Sequence, residues 1–516
     1  MAGGRTTKGR TVPAPATPAP APPPARTLVL DNGAYTLKAG FADRDGGSSG
    51  IPGPVVIPNC LVRDRQRRTY IGAEVTERCR DFGEATFRRP VEKGYIVNWE
   101  AQRAIWAHTF LGDGDGDAGD DGGNGGGISG LRCDPADTRL VLTEQPNALP
   151  ALQANCDQMV FEEFQFASYY RGTAAQFNAY LDVDNTTPTE PAASALSPTV
   201  PAEIRLVVDS GYSCTTVTPV LHGRPVHRAV RRLEVGGKLL TNYLTKLLSV
   251  RHYDMRHDTY IVNEIKEQAC YVALDFAGDL DKTWKGPRAT AAAVLNDANG
   301  ADDAGPYRRR RALFRAGSAG IAKEYVLPDY HTRMRGIVRE YDPTRRAATN
   351  RLSAAGGHND SDDDLPLEED VLVLRNERFA VPELLFHPGD VGLRQQPGLP
   401  DVVAQSVAAL PVGLWPALLA NIVVVGGNAE LPGFVQRLQQ EVQALLPDDL
   451  VVRVTRPADP ITCTWRGAAR FAAGADATEG GGPAAVERLA VTKQEYDEHG
   501  AGWVARKFAA GLAAVD

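Results

Sequence analysis

One short pattern occurs twice in the chain and limits the folds that it can adopt. Residues 28–33 read LVLDNG and residues 206–211 read LVVDSG, and each copy is followed by further strand-forming residues. An apolar run that stops at an acidic residue, a polar residue and a glycine, and then resumes, is typical of a strand, a tight turn and a returning strand. The two copies therefore predict two hairpins, one in each of two structurally related halves.

A third strand with a glycine stop lies near the C-terminal end. Residues 421–432 read NIVVVGGNAELP, in which IVVV has the composition of a buried strand and the glycine pair ends it. Apolar residues then recur at helical spacing at Phe434, Leu438 and Val442. This segment predicts a buried strand, a glycine loop and an amphipathic helix.

Three loops of this kind can enclose a phosphorylated ligand. Backbone N–H groups in tight turns point toward anions, and glycines allow the backbone to approach a ligand closely. Lys38 adds a positive charge, and Asp31 and Asp209 can meet at one hydrated divalent ion. A single hairpin of this type is most often only a turn, but the three loops together favour a nucleotide site in a cleft between two halves.

Composition places the chain among soluble globular proteins and excludes several classes of function. Its 516 residues are 43% hydrophobic and carry a formal net charge of −8. We find no apolar run long enough for a membrane span or a secretory signal, so an intracellular protein is expected. Seven cysteines without a CxxC pair argue against a disulfide framework and a zinc site. The acidic balance argues against direct sequence-specific DNA binding.

Several segments have the composition of loops or disordered chain rather than of packed elements. The Ala/Pro-rich residues 1–26 favour an extended, disordered tail. Four further segments read as insertions in a compact core, near 112–130, 184–200, 289–320 and 356–366. The RRRR run at 308–311 is consistent either with a localisation signal or with a solvated charge cluster.

The three loops, in this order, resemble the phosphate-1, phosphate-2 and adenosine motifs of the actin/Hsp70/sugar-kinase superfamily. GYIVNWEAQRAIWAHTF at 94–110, NEIKEQACYVALDF at 263–276 and KQEYDEHG at 493–500 narrow the likeness to actins. TEQPNALPALQANCDQMVFEEFQF at 143–166 and ERFAVPELLFHPGDVGL at 377–393 resemble the actin-related protein 6 family. The resemblance implies an α/β, actin-like ATPase fold: two related RNase H-like α/β domains around a nucleotide cleft, interrupted by low-complexity insertions.

On this resemblance, domain I comprises residues 27–200 and is completed by the C-terminal residues 465–516. Domain II comprises residues 201–464. The insertions near 112–130 and 184–200 fall in domain I, and those near 289–320 and 356–366 fall in domain II.

The resemblance also implies a set of cofactor-binding residues for ATP or ADP with Mg, with Asp31 and Asp209 holding the metal through water. These residues are Asp31, Asn32, Gly33 and Lys38 in the first loop, Asp209, Ser210 and Gly211 in the second, Lys266 and Glu267 on the adenine side, and Gly426, Gly427 and Asn428 in the third loop. Two departures weaken the phosphate cradle. Ala34 and Tyr35 stand where actins usually have Ser and Gly, and Tyr212 and Ser213 stand where they have Asp and Gly.

The residues that position the attacking water in actins are also absent at the matching places. Counting without gaps puts Ala174 and Thr216 where actins have Gln and His, with Gln176 nearby as a stand-in if the alignment shifts. Without a positioned water, much of the orientation advantage of catalysis is lost. We therefore expect no efficient hydrolysis, and a pseudo-ATPase scaffold rather than an enzyme.

The function implied by the resemblance is that of a nuclear, non-motor subunit of SWR1/SRCAP-type chromatin remodellers, which exchange histone H2A for H2A.Z. The implied partners are the motor ATPase and a zinc-finger HIT-type subunit, with H2A.Z–H2B and the nucleosome contacted indirectly. The segment from Cys60 to Thr69 is too short for the loop with which an actin subunit engages its neighbour, so filaments are not expected. The alternative is a catalytically active actin-like ATPase of the cytoskeleton.

Overall fold

A computed structural model of the chain describes residues 24, 26–42, 53–111, 131–181, 202–285, 321–330, 332–341, 369–473 and 483–512. The four predicted insertions, the RRRR run and the predicted tail, apart from Pro24 and Arg26, lie outside these residues. Across the part of the chain that is described, no helix is both long and apolar enough to cross a bilayer.

The strands of the described residues are short and fall into two large and three small sheets. In chain order they are β1 (Arg26–Asn32), β2 (Thr36–Phe41), β3 (Val55–Pro58), β4 (Leu61–Arg63), β5 (Thr69–Ile71), β6 (Thr86–Arg88), β7 (Val91–Glu92), β8 (Tyr95–Ile96), β9 (Thr138–Glu144), β10 (Ser168–Thr173), β11 (Ile204–Ser210), β12 (Thr215–Leu221), β13 (Arg224–Pro225), β14 (Arg231–Leu233), β15 (Lys323–Val326), β16 (Ile337–Glu340), β17 (Val371–Leu374), β18 (Ile422–Val425), β19 (Val454–Thr455) and β20 (Val491–Thr492).

The α-helices lie between these strands and cover the large sheets. In chain order they are α1 (Glu74–Glu77), α2 (Trp99–Phe110), α3 (Pro150–Gln158), α4 (Ala174–Asn178), α5 (Gly237–Arg251), α6 (Thr259–Ala269), α7 (Phe276–Lys285), α8 (Glu377–Ala380), α9 (Leu399–Ala408), α10 (Trp415–Leu419), α11 (Phe434–Ala444), α12 (Cys463–Ala473), α13 (Pro483–Leu489), α14 (Lys493–His499) and α15 (Ala501–Leu512).

The two large sheets repeat one arrangement. In the first sheet the strand order is β20-β10-β9-β1-β2-β3, with β1 antiparallel to β2 and parallel to β9. In the second sheet the order is β13-β12-β11-β18-β19, with β11 antiparallel to β12 and parallel to β18. Both predicted hairpins are thus confirmed, and each places its turn at the end of a strand that also has a parallel neighbour, where α/β folds bind ligands.

The C-terminal segment returns to the first sheet. Strand β20 pairs with β10, and α12 packs against β1, where the indole Nε1 of Trp465 donates to the Val29 carbonyl at 2.9 Å. A capping box starts α14, since the Thr492 hydroxyl accepts from the Glu495 N–H while the Glu495 carboxylate accepts from the Thr492 N–H. Residues far apart in the chain therefore complete the first half, since Val29 and Trp465 are 436 positions apart.

Two small lobes extend from the large sheets and face each other. The first outer lobe, residues 59–97, contains β4 to β8 and has its own small core of Cys60, Val62, Val75, Cys79, Phe82 and Ala85. The second outer lobe contains α5, α6, α7 and β15 to β17. A cleft runs between the lobes down to the two hairpin turns, and this cleft contains the candidate site.

Candidate functional site

The first hairpin presents a carboxylate and an ammonium group to the cleft. Lys38 pairs with Asp31 across the β1–β2 ladder, with its Nζ 3.2 Å from Asp31 Oδ2. The other carboxylate oxygen, Asp31 Oδ1, accepts a hydrogen bond from the hydroxyl of Thr143 at 2.8 Å. The carboxylate is therefore held from two sides, in a fixed orientation at the base of the cleft.

The side chain of Asn32 is occupied by the protein itself. Its amide donates to Gln102 Oε1 at 3.3 Å, and its carbonyl oxygen accepts from the indole of Trp106 at 3.1 Å. Gln102 and Trp106 are both fully buried on α2. Asn32 lines the cavity, but its polar atoms fasten the loop to α2 instead of pointing unpaired toward a ligand.

The second hairpin turn places Asp209 and Gly211 in the cavity but turns Ser210 away from it. The Ser210 hydroxyl is fully buried and lies 2.9 Å from the hydroxyl of Thr215. Because side chains alternate along a strand, Ser210 faces the opposite side from Asp209. Ser210 is thus a packing residue of the loop, unlike the phosphate contact that the resemblance implied.

Asp209 is the least satisfied carboxylate of the site. Among the described contacts, none is a hydrogen bond to its carboxylate. Burial and the neighbouring Asp31 carboxylate raise its pKa to about 6, and Lys38 opposes this shift only in part. Two carboxylates that face one cavity with a single nearby ammonium group leave room for a cation.

The third loop depends on a glycine that no other residue can replace without strain. Gly426 has a φ of +91°, and a Cβ atom there would lie 2.4 Å from the Ser210 carbonyl oxygen. Next to it, the amide of Asn428 donates to Ser210 Oγ at 3.1 Å and to the Gly211 carbonyl at 3.0 Å. The third loop is therefore locked directly onto the second.

The two predicted adenine-side residues on α6, Lys266 and Glu267, differ in their burial and hydrogen bonding. Lys266 Nζ donates to Asn263 Oδ1 at 2.8 Å and lies 3.2 Å from the hydroxyl of Thr241, and burial lowers its pKa. Glu267 lines the cavity and accepts from the Asn263 amide at 2.7 Å. Lys266 therefore supports the wall of the site, whereas Glu267 faces its interior.

One cavity of about 460 Å³ contains these loops, which is within the size range of nucleotide and cofactor sites. All of the predicted cofactor-binding residues line it except Ser210. The sequence analysis predicted that the three loops meet in one cleft, and the structure shows that they do, although the loops lie far apart in the chain.

The two tyrosines that replace small or acidic residues meet in the cleft. The rings of Tyr35 and Tyr212 have centroids 4.9 Å apart and are tilted by 40°. The Arg89 guanidinium lies 4.4 Å from the Tyr35 ring centroid and 5.2 Å from that of Tyr212. The Tyr35 hydroxyl also accepts from the amide of Asn263 at 3.0 Å. We call this group the tyrosine bridge, because it joins the two phosphate loops across the cleft.

The two positions that match the water-positioning residues of actins lie at the cavity, and they carry Ala and Thr instead of Gln and His. Ala174 and Thr216 both line it. Gln176, the alternative, does not line it: its amide donates to the Tyr170 hydroxyl at 2.9 Å, and its carbonyl oxygen is buried without a partner. Gln176 is therefore not a stand-in.

Sequence reasoning missed several residues of the site. Thr143, which orients Asp31, lies near the end of β9, and no local sequence pattern marks it. Gly237 lies at the N-terminus of α5 and lines the cavity, and a Cβ added there would lie 3.4 Å from the Tyr212 Cα atom. The glycine pair 236–237 before a helix is a sequence signal that could have indicated this residue. Arg89 reaches the site only through tertiary packing.

Comparison with known proteins identifies the family to which this cleft belongs. The family model described as Actin matches residues 23–509. Actin-related protein 6 of Neurospora crassa is 55% identical over 492 residues, which cover 95% of this chain and 96% of that protein. Actin-related protein 6 of Drosophila melanogaster is 31% identical, with 92% and 97% covered, and that of Arabidopsis thaliana is 31% identical, with 93% and 99% covered.

The fold, the paired hairpins and the cleft are those of a two-domain actin-like protein, and the predicted fold class is confirmed. The chain belongs to the actin family and, within it, to the group of actin-related protein 6.

Members of the actin family bind a nucleotide with Mg, so the site can be tested for its fit to that ligand. The base and metal ends fit, because Glu267 faces the cavity and the Asp209 carboxylate, which accepts no hydrogen bond from the described residues, faces Asp31. Among the described residues, no group of three or more His, Cys, Asp and Glu side chains is placed to hold a metal ion directly. The phosphate cradle fits less well, because Tyr35 and Tyr212 meet between its two loops.

Proposed function

We propose that this protein is a non-motor, nuclear subunit of an SWR1/SRCAP-type chromatin remodeller that exchanges histone H2A for H2A.Z. The proposed direct partners are the motor ATPase and a zinc-finger HIT-type subunit, and contact with H2A.Z–H2B and the nucleosome is indirect. Membership of the actin-related protein 6 group supports this proposal. The names of these relatives describe actin-related proteins and do not themselves state a complex or a compartment.

The observation that carries the scaffold part of the proposal is the chemistry of the cleft. A phosphate-splitting actin needs an open cradle and a positioned water. Here the two phosphate loops carry Tyr35 and Tyr212 in contact, and Ala174 and Thr216 stand in place of the Gln and His that position the water in actins. A nucleotide in such a site would be retained and not turned over. It would still stabilise the fold, because a ligand that binds only the native state adds to its stability.

Particular side chains would hold ATP or ADP with Mg in this cleft. Asp31 and Asp209 would hold the metal through water, Lys38 would face the phosphates, and Glu267 would face the base and ribose. The metal would neutralise phosphate charge that the single Lys38 cannot balance. Gly426 lets the third loop pack against the second, because a Cβ there would lie 2.4 Å from the Ser210 carbonyl oxygen.

A short, charged hairpin also argues against filament formation. Strands β4 and β5 are joined by residues 64–68, in which the Arg68 N–H donates to Asp64 Oδ1 at 2.8 Å and Arg67 has a φ of +66°. A tight turn of this length cannot supply a long apolar loop to a neighbouring subunit. This feature favours the scaffold over the alternative of a filament-forming cytoskeletal ATPase.

The test is purification of the tagged full chain from nuclear extract at moderate salt, followed by identification of the co-purifying chains by mass spectrometry. The expected result is recovery of a Swi2/Snf2-type motor ATPase together with a zinc-finger HIT subunit and H2A.Z. An untagged strain controls for background. Recovery of the chain alone, or with cytoplasmic filament proteins, would overturn the proposal and favour the cytoskeletal alternative.

A further inference from the structure

The mouth of the cleft is closed by a second set of aromatic contacts, distinct from the tyrosine bridge. Phe82 of the first outer lobe stacks on Tyr260 of α6, with centroids 3.9 Å apart and planes 11° from parallel. Phe87, on β6 of the same lobe, lies 6.0 Å from Tyr260 with planes 4° apart. We call Phe82, Phe87 and Tyr260 the aromatic clasp.

The clasp is part of a continuous hydrophobic cluster and not a chance surface contact. Phe82 is 9% exposed and belongs to the small core of the first outer lobe. Tyr260 and Tyr330, both from the second outer lobe, pack against that core. One small core is therefore built from both sides of the cleft, so opening the mouth exposes apolar surface to water.

Polar contacts between the two sides of the cleft also help to hold it closed. The Lys238 ammonium group lies 2.8 Å from the Glu92 carboxylate, and Arg232 donates to the Lys93 carbonyl at 2.8 Å. Both pairs join the second half of the chain to the first outer lobe. Exposed ion pairs of this kind contribute little by themselves, so the aromatic contacts carry most of the attraction.

From this geometry we infer that the two lobes are held closed by the protein itself, through the aromatic clasp, and that closure does not require a bound nucleotide. The clasp and the tyrosine bridge link the lobes at two depths without any ligand atom. Nucleotide therefore enters or leaves only when the clasp opens. This inference stands on lobe contacts alone and holds whether or not the chain works in a remodeller.

The native Lys238–Glu92 pair provides a direct readout of closure. A water-soluble carbodiimide joins an amine to a carboxylate only where the two are in contact, so the yield of the Lys238–Glu92 amide reports the closed state. The Lys507–Glu495 pair, with Nζ 2.8 Å from Oε2, lies within one half of the molecule and serves as an internal control. Mass spectrometry of the digested protein measures both cross-links in one sample.

The experiment compares the full chain after nucleotide removal by EDTA and charcoal with the same chain after addition of Mg and ATP. We expect equal yields of the Lys238–Glu92 cross-link in the two conditions. In the stripped protein, Tyr260→Ala should lower this yield, because the loss of roughly 1 kcal/mol of aromatic contact reduces the ratio of closed to open molecules by about fivefold. Tyr260→Phe keeps the ring and should behave like the unmodified protein.

Two controls separate loss of the clasp from loss of the fold. Tyr253→Ala removes a ring that is 52% exposed, in the same lobe and outside the clasp, and should leave the yield unchanged. The Lys507–Glu495 yield should stay constant in every variant. The inference is overturned if stripping the unmodified protein abolishes the Lys238–Glu92 cross-link and Mg with ATP restores it. A Tyr260→Ala yield equal to that of the unmodified protein would overturn it as well.

Discussion

At the scale of single residues, the cleft retains the charged pair expected in an actin-like phosphate loop, but two tyrosine rings give the cleft a different shape. Asp31 and Lys38 remain paired at the base, held by Thr143. Tyr35 and Tyr212 then place two aromatic rings where the two loops face each other. Burial and the nearby Glu267 carboxylate also raise the pKa of Tyr35, so its hydroxyl remains a neutral hydrogen-bonding group.

Asp209→Asn should stabilise the ligand-free protein near neutral pH. The pKa of Asp209 is about 6 in the folded protein, above its ordinary value of 3.8. The folded state therefore binds this proton more tightly than the unfolded chain, and stability falls as the pH rises through about 6. In EDTA, we expect the variant to gain up to about 3 kcal/mol at pH 7.5 and to gain less as the pH falls toward 4.5.

Denaturant unfolding of both proteins across this pH range measures the difference. Asp448→Asn changes an exposed carboxylate outside the cleft and should have no comparable effect. With Mg and ATP present, Asp209→Asn should lose the ligand-induced rise in Tm. Equal stability of the two proteins at all pH values would show that Asp209 does not carry an unfavourable buried charge.

At the scale of elements, the C-terminal helix α12 shows how tertiary contact overrides local preference. Its Trp465 side chain donates to the Val29 carbonyl on β1, and a Cβ on Gly40 of the neighbouring β2 would approach the indole ring to 2.6 Å. Gly467, in the same helix, faces α4, and a Cβ there would lie 2.2 Å from the Phe177 carbonyl oxygen. Small residues therefore let this helix approach the first half closely.

Gly467→Ala should destabilise the protein, although alanine is the better helix former. Helix propensity alone predicts a gain of about 1 kcal/mol, whereas the close approach to Phe177 predicts a loss of about 1–3 kcal/mol through overpacking. Gly502→Ala is the matched control, because Gly502 lies on α15 with no atom within 4 Å of an added Cβ. It should be neutral or slightly stabilising.

Urea unfolding of the two alanine variants beside the unmodified protein tests this sign. If Gly467→Ala were as stable as Gly502→Ala, α12 would not be held against the first half as closely as described.

At the scale of the whole molecule, local patterns predicted the fold but not its closure. The hairpins at Asp31 and Asp209 and the loop at Gly426 were visible because each signal lies within a few adjacent residues. The direction of the Ser210 side chain depends on the alternation of side chains along the strand, which the motif does not show. The hydrogen bond from Lys266 to Asn263 likewise depends on packing that the motif does not show. The stack of Phe82 on Tyr260 joins residues that share no sequence pattern.

The same contrast bears on function. Family membership follows from sequence and fold, while the state of the cleft follows from contacts that only the structure shows. The contact between Tyr35 and Tyr212 in the phosphate loops supports the proposed scaffold role over the alternative of a nucleotide-cycling ATPase.

Release of phosphate from ATP tests this account most directly. The purified full chain with Mg and radiolabelled ATP is compared with a conventional actin as the positive control and with Lys38→Ala as the background. We predict that release by the unmodified chain equals that of Lys38→Ala over hours, because Ala174 and Thr216 stand in place of the Gln and His that position the water in actins. Release at a rate comparable to that of conventional actin, and lost in Lys38→Ala, would contradict the account.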